Sequence, residues 1–386
     1  MRRRTAALAL ALLAASTGGA TSAQEEERSA WKRSGLSVEL ALDARYDDNI
    51  IQLSGRDIDR LEQGSSTSKF RITTPDDWIS VLQVDGRYAH EIFQRRETRV
   101  HVGADAYRYA TNDIKNWSEY RLDVMQELTG SRRHLLVLRA GVEYVADFYV
   151  RELTDDDASF EAQTRIRHSA RYDELSYFAA LDQEIVPSRF GLALRFEGAD
   201  RDYVPDFDER DGRRSGGDLI GRIQPVGKSG PLLELGWTKG AYAARGDLAS
   251  TPIPDDDISY DFDGPTIQVT VPWGAAHRGR VQAGYELTRR EYTTTNVFDV
   301  SHFARDDRRL DYGVRVVQRL RPGLELDAEW RHLSNDARFP TGFEPQDDVS
   351  DFNENRFSVG VRTRFGAGSP RKTASRAPRA PHGDNP

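Results

Sequence analysis

The sequence predicts an all-β fold, an antiparallel transmembrane β-barrel of about 14 strands. Three observations support this prediction: an export signal at the N-terminus, period-two alternation of apolar and polar residues in many segments, and connections that are alternately short and long. Two regions, 68–93 and 160–196, each have room for an additional strand, which would give about 16 strands.

The N-terminus has the parts of a secretory signal peptide. Three arginines at residues 2–4 form a basic region, residues 5–15 form a short apolar stretch, and small residues offer a cleavage site before Gln24. The apolar stretch is too short to cross a bilayer as a helix. The chain has no cysteine, which excludes disulfides, thiolate metal sites and a lipoprotein anchor. We predict a signal peptide at 1–23 and a periplasmic segment at 24–35 in a Gram-negative envelope.

The composition suits a barrel with a polar interior. Hydrophobic residues make up 38% of the chain, which is low for a soluble protein with a large core but sufficient when only lipid-facing side chains must be apolar. Removing the signal peptide leaves 51 of the 54 Lys and Arg residues against 62 Asp and Glu residues, so the formal net charge changes from −8 to −11. An acidic mature chain argues against a nucleic-acid partner.

The alternation is clearest in residues 356–365. Its main apolar positions are Phe357, Val359, Val361 and Phe365. Because successive side chains of a strand point to opposite faces, this segment has one apolar and one polar face. The same pattern recurs in residues 36–46, 100–106, 136–144, 190–196, 233–237, 267–273, 281–287, 310–316 and 324–330. We therefore expect a barrel over residues 36–365, whose outer face contacts outer-membrane lipid and lipopolysaccharide.

The connections between these segments alternate in length. Short turns fall at 94–97, 130–133, 227–230, 275–279 and 321–323. Long polar segments fall at 47–68, 111–119, 151–159, 203–217, 244–259, 294–307 and 340–355. Outer-membrane barrels have short periplasmic turns and long external loops, and a soluble β-sandwich has no physical reason for this asymmetry.

Two motifs carry a resemblance to a known class. They are Ala44-Arg45-Tyr46-Asp47-Asp48-Asn49-Ile50 and residues 353–365. The chain thereby resembles outer-membrane β-barrel proteins often encoded beside exopolysaccharide or capsule genes. The resemblance implies that the second motif is the aromatic-ended signal recognised by the barrel-assembly machinery. In that class the signal ends the protein, whereas residues 366–386 follow here. Their Pro, Ala, Ser and Arg content predicts a disordered periplasmic tail.

The positions that should face the lumen are rich in charge. The predicted lumen-lining residues are Arg139, Glu143, Glu234, Glu286, Asp311, Arg315, Arg362 and Arg364. They either line a hydrated pore, where charged side chains set the preference for ions and solutes, or pair across strands and fill the interior with salt bridges. The sequence supports both interpretations equally.

One catalytic candidate lies at the outer end of a predicted ascending strand. His332-Leu333-Ser334-Asn335 resembles the His-x-Ser-Asn motif of outer-membrane lipid A deacylases and a related arrangement in outer-membrane phospholipases. In those enzymes the histidine activates the serine for attack on a lipid ester. The resemblance leaves an orienting acid open, either Glu344 or Glu354. Asp336 departs from the motif, because the deacylases have a small apolar residue there.

Acidic clusters in the predicted loops, such as Asp155-Asp156-Asp157 and Asp255-Asp256-Asp257, lack the spacing of a calcium loop and are explained as solvated charge. We predict no metal site and no cofactor.

The expected function is porin-like passage of polar solutes or export of a surface polysaccharide, without chemistry. The alternatives are a lipid hydrolase that uses His332 and Ser334, and a structural or adhesive barrel. The solute and the oligomeric state stay open.

Overall fold

The computed structural model describes residues 35–65, 69–93, 96–131, 134–155, 166–227, 230–246, 257–274, 278–295, 299, 301–342 and 351–366. In these residues, fourteen antiparallel strands form a closed barrel. The strands are β1 (Gly35–Asp47), β2 (Asp77–Phe93), β3 (Arg96–Tyr109), β4 (Trp117–Ser131), β5 (His134–Asp155), β6 (Ile166–Val186), β7 (Phe190–Tyr203), β8 (Gly212–Ile223), β9 (Leu232–Ala244), β10 (Tyr260–Trp273), β11 (Gly279–Tyr292), β12 (Asp306–Arg321), β13 (Leu324–Arg338) and β14 (Phe352–Gly366). The predicted signal peptide and C-terminal tail lie outside the described residues.

Each strand pairs with its neighbours in sequence, and β14 pairs with β1 to close the barrel. The prediction of an all-β barrel with 14 strands is confirmed. The additional strands that would have given 16 are not found in the described residues. The region 68–93 contributes only β2, and residues 166–186 form one long strand because it pairs with β5 over most of its length.

The two ends of the barrel differ in the length of their connections. The turns that follow β2, β4, β6, β8, β10 and β12 are short and lie at the end where β1 starts and β14 finishes. Gly323, in the turn between β12 and β13, has φ of +79°, a conformation that glycine adopts without steric cost. The other connections are longer and lie at the opposite end. This is the predicted arrangement of periplasmic turns and external loops.

The outer face of the barrel is apolar and the inner face is polar. On β1, Leu36 and Leu42 are 60% and 61% exposed, whereas Glu39 and Asp43 on the opposite face are buried. Val359 of β14 pairs with the outward face of β1 and is 63% exposed. Large apolar side chains that stay exposed around a closed barrel need lipid, not water, as their surroundings.

Loop 1, the connection from residue 48 to residue 76, folds over the external end of the barrel. It contains the helix α1 (Gly55–Glu62), whose N-cap residue Ser54 accepts a hydrogen bond from the backbone N–H of Asp57. A buried apolar cluster is formed by Ile50, Ile51, Leu53, Phe70, Ile72 and Tyr149. The sequence predicted only a polar loop here, so this packed cap is a finding of the structure. No helix in the described part of the chain is long and apolar enough to span a membrane.

Candidate functional site

All eight predicted lumen residues occupy inward-facing positions, and those on β12 are paired across strands. The guanidinium of Arg315 donates to Asp327 at 2.8 Å, and Arg331 donates through Nε to Asp311 at 2.7 Å. Each pair joins β12 to β13, whose register places these residues on one face. The pairs form a ladder of opposite charges along the wall.

The closing seam between β1 and β14 carries a second charge cluster. Glu39 of β1 is 3% exposed. It accepts hydrogen bonds from Arg364 at 2.6 and 2.9 Å and lies 3.3 Å from Arg362, both on β14. Arg87 of β2 lies 3.8 Å away. The buried carboxylate of Glu39 on β1 thus lies beside three arginines, two on β14 and one on β2.

The other predicted lumen residues are less uniformly paired. Glu234 accepts from Arg222 at 2.8 Å, and Glu286 accepts from the hydroxyl of Thr288 at 3.1 Å. Within the described strands, Arg139 and Glu286 form no ion pair, and both side chains are exposed to the lumen. Glu143 lines a cavity of about 270 Å³ among β4 to β8.

These paired charges keep part of their surface exposed. The side chains of Arg315, Arg331 and Arg364 keep 31%, 45% and 36% of their surface exposed although all three form ion pairs. Because these residues face the inside of a closed barrel, their exposed surface contacts space in the lumen. The described side chains thus show the cross-strand pairing, and the pairs leave part of the charged surface exposed inside the barrel.

An aromatic belt near the external end of the lumen was not predicted. Its rings face inward from the last positions of strands around the barrel. The belt comprises Tyr107, Trp117, Phe148, Tyr172, Tyr203, Tyr242, Tyr260, Phe262 and Tyr292. Tyr107 and Trp117 stack in parallel with ring centroids 3.9 Å apart. The alternation in the sequence contained a signal for this belt. Its aromatics occupy inward positions of their strands, whereas Phe196 and Trp237 occupy outward positions.

Arginines cover several rings of the belt. The guanidinium of Arg201 lies 4.3 Å from the centroid of Tyr172, and that of Arg305 lies 4.7 Å from Tyr292. Such cation–π contacts are stronger where water is partly excluded. Positive charge therefore forms much of the inner surface at the level of the belt.

Lower in the lumen, a histidine bridges two carboxylates. The ring nitrogens of His101 lie 2.6 Å from Asp85 and 2.6 Å from Asp123, on the strands either side of β3. This residue was not among the predicted lumen-lining positions. It occupies an inward position on β3, directly opposite Asp123 of β4 and diagonal to Asp85 of β2.

The catalytic candidates lie on the outward face of β13 near its external end. Nδ1 of His332 lies 3.0 Å from Oδ1 of Asn355 on β14, and Nδ2 of Asn355 donates to Asp48 at 2.8 Å. Ser334 is two residues further along the same face. No hydrogen bond between His332 and Ser334 is formed in the described residues.

Glu354 is not the orienting acid. It is 0% exposed on the inner face, where it pairs with Arg356 and accepts from Gln52 at 3.1 Å. Strand alternation places it on the face opposite to its neighbour Asn355, which contacts His332 instead. The other candidate, Glu344, lies outside the described residues.

A groove of about 640 Å³ opens beside Ser334. Loop 1 and the external ends of β13 and β14 line it, with Arg56, Asn335, Asp336 and Phe352 among the lining residues. The groove sits at the external rim, close to the expected level of lipid headgroups.

The acids of the loop between β7 and β8 already have protein partners. Asp211 accepts from the backbone N–H of Tyr203 at 2.6 Å and lies 3.1 Å from Arg245. The described residues contain no group of three His, Cys, Asp or Glu side chains suited to a metal ion. The clusters around 155–157 and 255–257 fall largely outside the described residues.

No family model matches the sequence, and no curated protein matches it at significant similarity. Solved structures that are similar in shape include OccAB3 of Acinetobacter baumannii, with 12% identity and a TM-score of 0.37 over 86% of this chain and 99% of that one. An anion-selective porin from Comamonas acidovorans has 10% identity and a TM-score of 0.39, with coverage of 86% and 99%. The loop-deleted outer membrane protein OmpT of Vibrio cholerae has 10% identity and a TM-score of 0.40, with coverage of 86% and 100%.

At this level of similarity the properties of those proteins do not transfer, and the chain's own side chains decide what it can do. Its outer face is an apolar belt that only lipid can cover, its inner face is charged, and its described strands leave no open edge. The chain is a closed antiparallel β-barrel of fourteen described strands, with an apolar outer face and a charged inner face.

Proposed function

We propose that the barrel lets polar solutes cross the outer membrane without chemistry. The observation that carries this proposal is the hydrated, ion-paired lumen, in which Arg315, Arg331 and Arg364 stay partly exposed inside a closed barrel. Charged side chains that line a lumen set its preference for ions and small polar molecules. A barrel of 14 strands is wide enough for this, even though loop 1 covers part of the external mouth.

Planar-bilayer conductance of the purified protein tests this proposal. We expect stepwise currents, and we expect Arg315→Glu and Glu286→Arg to shift the ion preference in opposite directions. Arg338→Glu, at the exposed end of β13, is the matched control and should leave the currents unchanged. A wild-type protein that inserts but passes no current would overturn the proposal.

Export of a surface polysaccharide is the finer version of this function. It is supported by the resemblance carried by the motif at residues 44–50 and by the wide lumen. Deleting the gene should then remove a polymer from the cell surface, and restoring the chain should return it. Normal surface polysaccharide in the deletion strain, together with conductance, would limit the function to small solutes.

A second candidate function is hydrolysis of a lipid ester on the outer rim. The observation that favours it is the chain of contacts from His332 to Asn355 to Asp48, which orients the imidazole beside Ser334. In such a reaction the Ser334 hydroxyl attacks the acyl carbon, His332 takes its proton and returns it to the leaving alcohol, and water releases the acid from the serine.

Release of fatty acid from phospholipid or lipopolysaccharide in detergent separates the two functions. Hydrolysis that Ser334→Ala abolishes would establish the enzyme. Ser80→Ala is the matched control, since Ser80 is an exposed serine on the outward face of β2. No release by the wild-type protein removes this candidate. Neither conductance nor hydrolysis would indicate a structural or adhesive barrel.

A further inference from the structure

Two arginines on neighbouring strands of the lumen lack a carboxylate partner. Arg290 of β11 and Arg309 of β12 face inward near the external end and are half-buried. They lie within electrostatic range of one another. Neither forms a hydrogen bond or ion pair with any acid in the described part of the chain. We refer to these two residues as the arginine pair.

Three of the nearby acids are held by other arginines. Asp307 accepts two hydrogen bonds of 2.6 Å from Arg305, one at each of its oxygens. Asp311 is held by Arg331, and Glu354 is paired within its own strand. The arginine pair is therefore a local excess of positive charge. Burial of charge without a counter-charge is costly, so this part of the wall attracts anions.

Each residue of the arginine pair lies near an aromatic ring. The guanidinium of Arg290 lies 5.0 Å from the centroid of Tyr260, and that of Arg309 lies 5.9 Å from Phe352. The Nε of Arg290 is buried and has no hydrogen-bond partner. Stacking on a ring fixes the plane of a guanidinium but uses none of its N–H donors. Within the described residues, the N–H donors of the arginine pair are thus left without a protein partner.

We propose that Arg290 and Arg309 form an anion-binding site in the lumen. Its ligand is a small solute that carries a carboxylate or phosphate group, because a guanidinium presents two parallel N–H donors that match two oxygens of such a group. The site rests on the proposed passage of polar solutes and defines their class as anionic. The acidic charge of the whole chain does not oppose this, because a lumen site is governed by the charges that face it.

The test compares Arg309→Gln with Arg308→Gln. The two substitutions remove the same charge from adjacent positions of β12, but Arg308 points outward and is exposed. Arg290→Gln/Arg309→Gln is the stronger variant, and heat-modifiable gel mobility shows whether each variant is folded. The measurements are the reversal potential in a KCl gradient and the block of current by glucuronate, with uncharged glucose as the matched probe.

We expect the wild-type channel to prefer chloride and to be blocked by glucuronate but not by glucose. Arg309→Gln should weaken the block by about tenfold, and the double variant should abolish it, in line with the strength of charge-assisted hydrogen bonds. Arg308→Gln should behave like the wild type. A conducting protein whose ion preference and glucuronate block are the same in all variants overturns the anion site and leaves the proposed passage intact.

If the wild-type protein passes no current, the proposed passage fails and the anion site is tested separately. Titration calorimetry with glucuronate in detergent then measures binding directly. A dissociation constant that rises about tenfold in Arg309→Gln but not in Arg308→Gln supports the site. Equal affinity in both variants, or no binding by the wild type, overturns it.

Discussion

At the scale of single residues, the motif at residues 44–50 holds β1 and β14 together where the barrel closes. Asp47 lies 3.0 Å from Nε of Arg356. Asp48 accepts from both the backbone and the side-chain amide of Asn355, at 2.6 and 2.8 Å. The amide of Asn49 donates to a backbone carbonyl of β14 at 2.9 Å. The three polar residues thus join the first strand to the last, which gives the motif a structural role.

Lys115, in the loop between β3 and β4, provides a pH test of the external cap. It is 3% exposed, donates to the backbone carbonyl of Tyr149 at 2.9 Å and lies 4.8 Å from the ring of Phe148. Burial lowers the pKa of the Lys115 ammonium from its ordinary 10.5 to about 7. Below pH 7 both the folded and unfolded chains carry this proton, so the cost of burying the charge is fully present.

Between about pH 7 and pH 10.5 the unfolded chain binds more protons at Lys115 than the folded chain does. The free energy of unfolding should therefore rise with pH in this window. The measurement is the temperature at which the heat-modifiable gel band converts, at pH 7 and at pH 10. Lys115→Met should remove part of the rise, and an identical rise in Lys115→Met would contradict the prediction.

At the scale of elements, β14 shows how alternation separates two environments within one strand. Phe357, Val359, Val361 and Phe365 are 51%, 63%, 45% and 55% exposed on the outward face. Their neighbours Arg362 and Arg364 turn inward to Glu39. Gly360 lies on the same inward face, where a Cβ would collide with the carboxylate of Asp43 unless that side chain moved. The last strand therefore has a lipid face and a seam face with separate tasks.

This separation predicts different outcomes for the same substituent on the two faces. Val361→Asp places a charge in lipid at a cost of about 2–4 kcal/mol near mid-bilayer and should impair insertion. Ser358→Asp adds the same group on the inward face, opposite Arg45, and should leave insertion nearly normal. Phe365→Ala should also impair assembly. The amount of heat-modifiable protein in outer-membrane fractions measures all three, and equal tolerance would mean that β14 is not the assembly signal.

At the scale of the whole molecule, the barrel has two unlike ends. Short turns close the periplasmic end, whereas loop 1 adds a helix and a buried apolar cluster to the external end. The aromatic belt and the arginines that cover it lie directly below this cap. A solute that enters from outside would therefore meet the cap and the arginines beside the aromatic belt first.

The closed barrel predicts the behaviour of the chain without its C-terminal tail. All strands end by Gly366, so deletion of residues 367–386 should leave membrane insertion nearly intact. Urea-washed outer membranes should retain the truncated and the full-length proteins equally, and the mobility of both should shift on heating. Loss of the truncated chain into the soluble periplasm would show that the tail is needed for assembly.

The sequence by itself determined the properties that depend on local periodicity. Which side chains of β14 meet lipid, which residues of β12 face the lumen and which connections are long all follow from alternation and turn composition, because each strand carries its own two-faced pattern. Only the tertiary structure decided which distant groups meet. Glu39 joins Arg364 across 325 positions of sequence, Asn355 and not Glu354 contacts His332, and loop 1 packs on Tyr149. Period-two alternation indicates which face of the strand a residue is on, but it does not specify the partner strand, the register of the pairing or the path of a loop. These are set when the barrel closes.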